Sequence, residues 1–302
     1  MNKQFVRHNV LPVLAALIWG MAFVAQSECS DLIEPMTFNA LRAVIASVFL
    51  AVVYIILQKA KKALHPDTVK PINRKKAVVG GVLCGIFLSA AANVQQLGIM
   101  YTTVAKAGFI TTLYVILVPI FGIFLKKKCP FNVWISVVIS VFGLYFLSIT
   151  DGFSLSKGDS IVILCAVLFA LHILVIDRFA SDVDGILLSL IQFITMTVIS
   201  GVGAVIFEEI SFQAIMQCIL PILYVGIFSS GVAYTLQIIA TKGANPTVLS
   251  ILLSLESSFA ALGGYIILNQ KLTLREIFGC LLMFSAAALA QIDFKRKDKQ
   301  TK

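Results

Sequence analysis

Long runs of apolar residues alternate with short polar connections along almost the whole chain. A bilayer hydrocarbon core about 30 Å thick is crossed by about 20 predominantly apolar residues in an α-helix. Ten stretches have that length and composition, near residues 10–28, 37–57, 77–97, 104–124, 131–150, 160–177, 185–207, 217–240, 246–268 and 273–292. The pattern predicts an all-α membrane protein with ten transmembrane helices, whose function lies inside the helix bundle.

The ten predicted spans divide into two sets of five with related sequences. The segment GIFLS from Gly85 aligns with GIFSS from Gly226, and six of thirteen positions match from there, including Gln96 with Gln237. The first two spans of each set align at a second offset. That offset places Trp19 over Phe169, Ala22 over His172 and Arg42 over Gln192.

An odd number of spans in each set means that the second set lies upside down relative to the first. We therefore predict two inverted five-helix repeats, residues 1–152 and residues 153–302, the second ending in a short basic tail. Inverted repeats place a binding site near the bilayer midplane and provide two related states for alternating access. The alternative is a duplicated scaffold without a transport role.

Composition argues against a soluble domain and against a nucleic-acid partner. The 302 residues are 59% hydrophobic and 13% charged, whereas soluble chains are about 25% charged. If the N-terminus is cytoplasmic, 19 of the 24 basic residues lie in cytoplasmic segments, including the loop from Lys59 to Lys76 and the tail from Lys295. This positive-inside bias explains the net charge of +9 and predicts a multi-pass protein of the cytoplasmic (inner) membrane with both termini in the cytoplasm.

Four segments resemble the signatures of a known transporter family. They are WGMAF at Trp19, PMTFNALR at Pro35, GFITTLYVILVP at Gly108 and the run from Leu255 to Gly279. The chain is similar to ten-helix members of the EamA branch of the drug/metabolite transporter superfamily. This resemblance implies a carrier, with export of an amino acid or a related drug-like metabolite as the expected activity, and it leaves the substrate open.

Three charged residues lie within the predicted spans: Arg42, Lys106 and Glu256. Charges inside a membrane usually face a cavity or a partner. Glu256 lies near the middle of the ninth span, where a carboxyl group that gains and loses a proton would couple proton movement to transport. The alternative for Glu256 is a protonated side chain that is hydrogen bonded to a neighbouring helix.

Arg42 and Lys106 lie closer to the ends of their spans. Arg42 can meet an anionic substrate group, pair with Glu256, or extend to the outer headgroups. Lys106 is nearer still to the outer end of the fourth span, where extension to the headgroups is favoured over a cavity role. We therefore assign gating or charge pairing to these two basic residues.

A further set of polar and aromatic residues predicts a cavity for a small uncharged or zwitterionic molecule. The alternative for each polar member is a hydrogen bond between helices, and for His172 a packing role. Together with Glu256, the candidate substrate-binding residues are Trp19, Asn93, Gln96, Phe109, Thr112, Tyr114, His172, Tyr234 and Gln237.

No motif in the sequence indicates another class of activity. There is no phosphate-binding loop, no catalytic triad and no zinc-binding motif, and the six cysteines are scattered. We therefore expect a carrier rather than an enzyme, with no cofactor and with a proton as the candidate coupling ion. An uptake carrier, a passive channel and an intramembrane enzyme remain the alternatives, and the oligomeric state is left open.

Overall fold

A computed structural model describes residues 3–64, 73–102, 104–127, 129–148, 157–267 and 272–292. These residues form helices joined by short turns, and no strand occurs among them. The first repeat contains α1 (Lys3–Cys29), α2 (Pro35–Leu64), α3 (Arg74–Ile99), α4 (Val104–Thr112 and Tyr114–Phe124) and α5 (Phe131–Ser148). The second contains α6 (Lys157–Phe179), α7 (Gly185–Phe207), α8 (Ile219–Thr241), α9 (Pro246–Leu253 and Glu256–Ile267) and α10 (Leu274–Ala290).

Eight of these helices, α1 to α4 and α6 to α9, are long and apolar enough to cross a bilayer. The helix α5 is apolar but shorter, and α10 has 17 residues. The all-α membrane fold expected from the sequence is confirmed. The count of ten spans stays a prediction, because α5 and α10 fall below the length of the others.

The bundle has an apolar exterior, and its interior combines an apolar core with buried polar side chains. Val48 and Ile56 on α2, like Val202 and Val205 on α7, expose more than half of their surface. In contrast, the side chain of Gln192 is fully buried, as are many serine and threonine hydroxyls. This distribution suits a bilayer, because lipid replaces water around the exterior and polar groups are satisfied within the protein. The chain is a multi-pass membrane protein.

Contacts between helices occur in pairs that the repeat relates. The helix α3 packs against α6 and α7, and its equivalent α8 packs against α1 and α2. Likewise α4 packs against α6, and its equivalent α9 packs against α1. The equivalent helices α2 and α7 pack on each other, as do α5 and α10. The architecture is therefore two interlocked repeats, each of which supplies one helix to each of these interfaces.

Two matched glycines set the distance between the repeats. A Cβ atom on Gly85 of α3 would lie 2.6 Å from the carbonyl oxygen of Gln192 on α7. A Cβ atom on Gly226 of α8 would lie 3.3 Å from the carbonyl oxygen of Arg42 on α2. These are the residues that the sequence alignment pairs, Gly85 with Gly226 and Gln192 with Arg42. The same contact between a glycine and an opposing backbone oxygen therefore occurs twice, once in each direction between the repeats.

The helices α5 and α10 meet through a similar glycine pair. A Cβ atom on Gly143 would lie 3.0 Å from the carbonyl oxygen of Gly279, and one on Gly279 would lie 2.7 Å from that of Gly143. Small residues allow such close helix packing in membranes. The boundary between repeats at residues 152 and 153 and the basic tail from Lys295 lie outside the described residues, and the boundary stays a prediction.

Polar contacts tie the two repeats together at both ends of the bundle. At one end, three lysines of the first repeat pair with three aspartates around the turn between α6 and α7: Lys61 with Asp184 at 3.3 Å, Lys76 with Asp182 at 2.9 Å, and Lys127 with Asp177. At the other end, the Glu208 carboxylate accepts hydrogen bonds from the backbone N–H groups of Met36 and Thr37, both at 2.7 Å. A carboxylate after α7 therefore caps the N-terminus of α2.

The glycine contacts generate a prediction about stability. Substituting Gly85 by Ala places a methyl group against the α7 backbone and should destabilise the fold by about 1–3 kcal/mol through overpacking. Gly201→Ala on α7 is the matched control, because a Cβ atom there has no neighbour within 4 Å. We expect the apparent melting temperature in detergent to fall for Gly85→Ala and not for Gly201→Ala. Equal melting temperatures for both variants would mean that the α3–α7 contact is not tight.

Candidate functional site

Two helices of the bundle are interrupted at matching positions. The regular α-helical hydrogen bonding of α4 is interrupted at Leu113, between Thr112 and Tyr114, and that of α9 is interrupted at Ser254 and Leu255. Leu113 and Ser254 keep right-handed helical backbone angles. At the offset that aligns Gly85 with Gly226, Leu113 aligns with Ser254. Helices that are discontinuous at corresponding positions of two inverted repeats typically flank a binding site. The space between α4 and α9 is therefore the candidate binding site.

The two interruptions are joined by side-chain hydrogen bonds. The Tyr114 hydroxyl donates to Oε1 of Glu256 at 3.1 Å. Next to it, the hydroxyls of Thr112 and Ser257 are hydrogen bonded at 3.3 Å. Each bond connects a residue beside the break in α4 to a residue just after the break in α9. Movement at either break would therefore strain or release these two bonds.

A small, partly open cavity of about 40 Å³ lies beside these bonds. Helices of both repeats form it, and aromatic and amide side chains make up most of its lining. The lining residues are Trp19, Ala22, Phe23, Gln26, Arg42, Gln95, Thr111, Tyr114, Phe169, Ile173, Ser229, Tyr234, Gln237, Leu253 and Glu256.

The aromatic wall is held in place by α8. The rings of Trp19 and Tyr234 pack with their centroids 4.7 Å apart, and the Trp19 indole N–H donates to the backbone oxygen of Ser229 at 3.2 Å. Ser229 belongs to a π-helical segment, Val225–Ala233. Such segments are rare and are frequently found at functional sites. Here the π-helical segment supplies a carbonyl group that orients the Trp19 ring.

Two ionisable side chains line the cavity without pairing with each other. The Arg42 guanidinium donates from Nε to the Ser230 hydroxyl at 3.1 Å and from Nη1 to Oε1 of Gln26 at 3.3 Å. Within the described part of the chain, no carboxylate oxygen lies within 4.0 Å of Arg42. The Glu256 carboxyl group bonds to Tyr114. The cavity thus presents a basic and an acidic group at separate places.

A profile of the EamA-like transporter family matches residues 8–149 of the chain and, a second time, residues 156–291. The chain belongs to the EamA-like transporter family. The resemblance of the four sequence segments is thereby confirmed, and the two matches follow the two repeats. Membership makes the chain a membrane transporter for which the bilayer and a small-molecule substrate are the general partners.

Relatives and a solved structure agree with this assignment. An Archaeoglobus fulgidus protein named "Uncharacterized transporter" is 29% identical over 280 residues, covering 92% of this chain and 84% of that protein. A Clostridium kluyveri protein of the same name is 23% identical and covers 73% of this chain and 76% of its own length. A crystal structure of a protein 18% identical superposes with a TM-score of 0.76, covering 94% of this chain and 96% of the other. At that identity the superposition shows the fold alone.

Part of the candidate site expected from the sequence lies around the cavity of this EamA-like chain. Arg42, which we expected to act in gating or charge pairing, lines the cavity, and its side chain is 3% exposed. The candidate substrate-binding residues in the cavity wall are Trp19, Tyr114, Tyr234, Gln237 and Glu256. Gln237 contributes an amide whose oxygen is buried without a hydrogen-bond partner in the described structure.

Three other candidates make contacts between helices instead of lining the cavity. Asn93 accepts from Asn39 at 2.9 Å and donates to Ser200 at 3.0 Å, which joins α3 to α2 and α7. Gln96 donates to the backbone oxygen of Gln26 at 3.4 Å. Thr112 donates to the backbone oxygen of Gly108 at 2.8 Å and bonds to Ser257. Their role as substrate contacts stays a prediction.

Two further candidates, Phe109 and His172, also lie outside the cavity wall. Phe109 is buried in the main apolar core. His172 is fully buried, and its Nε2 lies 2.9 Å from Oε1 of Gln192. Lys106 lies in the first segment of α4, and its side chain lies outside the described residues. The charge pairing considered for Arg42 with Glu256 is absent from this conformation.

Several cavity residues were not expected from the sequence. Gln26 and Phe23 lie on the face of α1 that carries Trp19, and that helical spacing would have identified them. Gln95 donates a hydrogen bond to the Thr111 hydroxyl at 3.2 Å and immediately precedes Gln96, a predicted site residue. The cavity wall therefore comes from the predicted segments, and in part from neighbours of the predicted side chains on another face of the same helix.

The bond between the two interruptions is open to a direct test. Tyr114→Phe removes the hydroxyl donor and leaves a buried carboxyl oxygen without it, which should cost about 1–3 kcal/mol of stability. Tyr265→Phe, on the exposed side of α9, is the matched control. We expect thermal unfolding in detergent to show a lower melting temperature for Tyr114→Phe alone.

A double-mutant cycle isolates the bond from other effects of the two substitutions. Tyr114→Phe is combined with Glu256→Gln, and the melting temperatures of the parent, both single variants and the double variant are compared. Non-additive effects are expected, because each substitution disrupts the same contact. Strict additivity would show that the two side chains do not stabilise each other.

Proposed function

We propose that this chain is an alternating-access carrier that exports a small organic metabolite, an amino acid or a drug-like solute, across the cytoplasmic membrane. The observation that carries the proposal is the cavity between the two repeats, beside the matched interruptions in α4 and α9. A central site flanked by interrupted helices can be exposed to either side when the repeats rock against each other. The names of the two relatives, which are both transporters, support the class of activity.

The charge distribution supports a cytoplasmic location for both termini. The lysines that tie the repeats together, Lys61, Lys76 and Lys127, lie at one end of the bundle, and each is about half exposed. Basic residues collect on the cytoplasmic side of membrane proteins. The first residues of α1, which include Lys3 and Arg7, lie at that same end, since Arg7 bonds to the backbone oxygen of Ile239 near the end of α8.

We assign Glu256 the coupling role. Its carboxyl group lies in the cavity wall and is bonded to Tyr114 across the two interruptions. An ionised carboxylate only accepts hydrogen bonds, whereas a protonated one can also donate. A proton gained or lost at Glu256 would therefore change how α4 and α9 are held together. That change links proton movement to the conformation of the site.

The first test is analysis of all small molecules in the medium of cells that produce the protein. Cells with the parent protein are compared with cells that produce Glu256→Gln at equal membrane abundance and with cells that carry an empty vector. Glu276→Gln is the matched control, because Gln preserves the capping box in which Glu276 holds Thr273 at the start of α10. We expect one or a few metabolites to accumulate with the parent and with Glu276→Gln only.

Matching media from all four cultures would contradict export and leave uptake as the direction to test in liposomes. Accumulation that is equal for the parent and for Glu256→Gln would retain export but remove the coupling role of Glu256. Flux that rises in proportion to concentration, with no saturation, would indicate a channel rather than a carrier.

A further inference from the structure

The position of Arg42 has an exact counterpart in the other repeat that carries no charge. Arg42 and Gln192 align in sequence, and each presents its backbone oxygen to the matched glycine of the other repeat, Gly226 or Gly85. Gln192 is fully buried at this position. The fold therefore accommodates a neutral amide at that place on the helix, and packing alone does not require a guanidinium group at residue 42.

A second substitution between the repeats opens the space next to Arg42. In the second repeat, His172 bonds to Gln192 at 2.9 Å and occupies the space beside it. The equivalent of His172 in the first repeat is Ala22, which lines the cavity together with Arg42. A ring in one repeat thus corresponds to empty space in the other. One copy of the arrangement is filled and neutral, and the other is open and cationic.

The buried guanidinium group has no anion in the described structure. Its bonds to Ser230 and Gln26 are to neutral groups. Arginine stays protonated in proteins, and a buried charge is expensive unless it is paired. Among the cavity-lining residues, Arg42 is the one cationic side chain. An occupant with a single negative charge would balance this one cation, whereas a doubly charged phosphate would leave a negative charge in the cavity without a cationic partner.

We propose that Arg42 binds a carboxylate of the transported solute and thereby selects small organic monocarboxylates. This proposal rests on the transport function proposed for the cavity. The guanidinium group matches a carboxylate through two parallel N–H···O bonds. The rest of the solute lies against the aromatic wall formed by Trp19, Phe23 and Phe169. Specificity then arises because a solute that lacks the carboxylate leaves Arg42 buried and unpaired.

Binding of a solute can be measured by the fluorescence of Trp19 in the cavity wall. The chain has two tryptophans, and only Trp19 lines the cavity, since Trp134 lies on α5. In a Trp134→Phe background, the fluorescence of the purified protein reports on Trp19 alone. The probes are 4-methylpentanoate and phenylacetate, each with its uncharged amide, and sodium chloride as the control for a simple anion. All probes are used at millimolar concentrations and at constant ionic strength.

We expect saturable changes with at least one of the two carboxylates and about tenfold weaker binding, or none, with its amide. Arg42→Gln, which copies the residue at the equivalent position, should abolish the difference between acid and amide, and Arg42→Lys should restore part of it. Equal responses to acid and amide, a response to chloride alone, or no response to either carboxylate would overturn the proposal. If Arg42→Gln does not fold, the comparison of acid with amide on the parent decides.

Two experimental outcomes distinguish a failure of this proposal from a failure of the proposed transport function. If the medium of producing cells accumulates a metabolite without an acidic group, transport stands and the carboxylate role of Arg42 is wrong. If no metabolite accumulates but the acids still bind through Arg42, export is wrong and the binding site stands.

Discussion

The structure depends on the close approach of α3 and α8 to the backbone of the opposite repeat. Gly85 and Gly226 bring these helices within van der Waals contact of the carbonyl groups of Gln192 and Arg42. Without a hydrophobic driving force between helices in lipid, such packing and interhelical hydrogen bonds hold a membrane bundle together. Because the contact is made twice, it fixes α2 and α7 side by side, with α3 packed against α7 and α8 packed against α2. Residue 42 is thereby placed at the interface between the repeats.

The duplication would by itself produce two equivalent sites, and side-chain differences leave one. His172 fills the space beside Gln192, whereas Ala22 leaves the space beside Arg42 open. Gln192 and His172 share one hydrogen bond, whereas the buried guanidinium group of Arg42 keeps its charge. The symmetric backbone therefore supports an asymmetric cavity, whose polarity is decided by two pairs of residues.

The interruptions in α4 and α9 also lie at the interface between the two repeats. At these positions the backbone forms i→i+3 hydrogen bonds, from the Leu113 N–H group to the Ile110 oxygen and from the Leu255 N–H group to the Leu252 oxygen, so its polar groups still find partners within the helix. Here the breaks lie next to each other and are bridged by Tyr114 with Glu256 and by Thr112 with Ser257. At one end of the bundle, lysine–aspartate pairs also join the repeats. The three lysines are about half exposed, and ion pairs near the surface are weak individually.

The sequence determined the helical membrane fold, the two repeats and the family, because bilayer thickness sets the length of apolar runs and lipid excludes unpaired charge. It also placed Glu256 and Arg42 inside the membrane. Only the tertiary structure decided which side chains share a cavity. Asn93 and Gln96, one helical turn apart, point to neighbouring helices, whereas Gln26 lines the cavity. The physical reason is that a helix surrounded by lipid and other helices is largely apolar on every side, so that its rotation is set by packing and not by a polar face in the sequence.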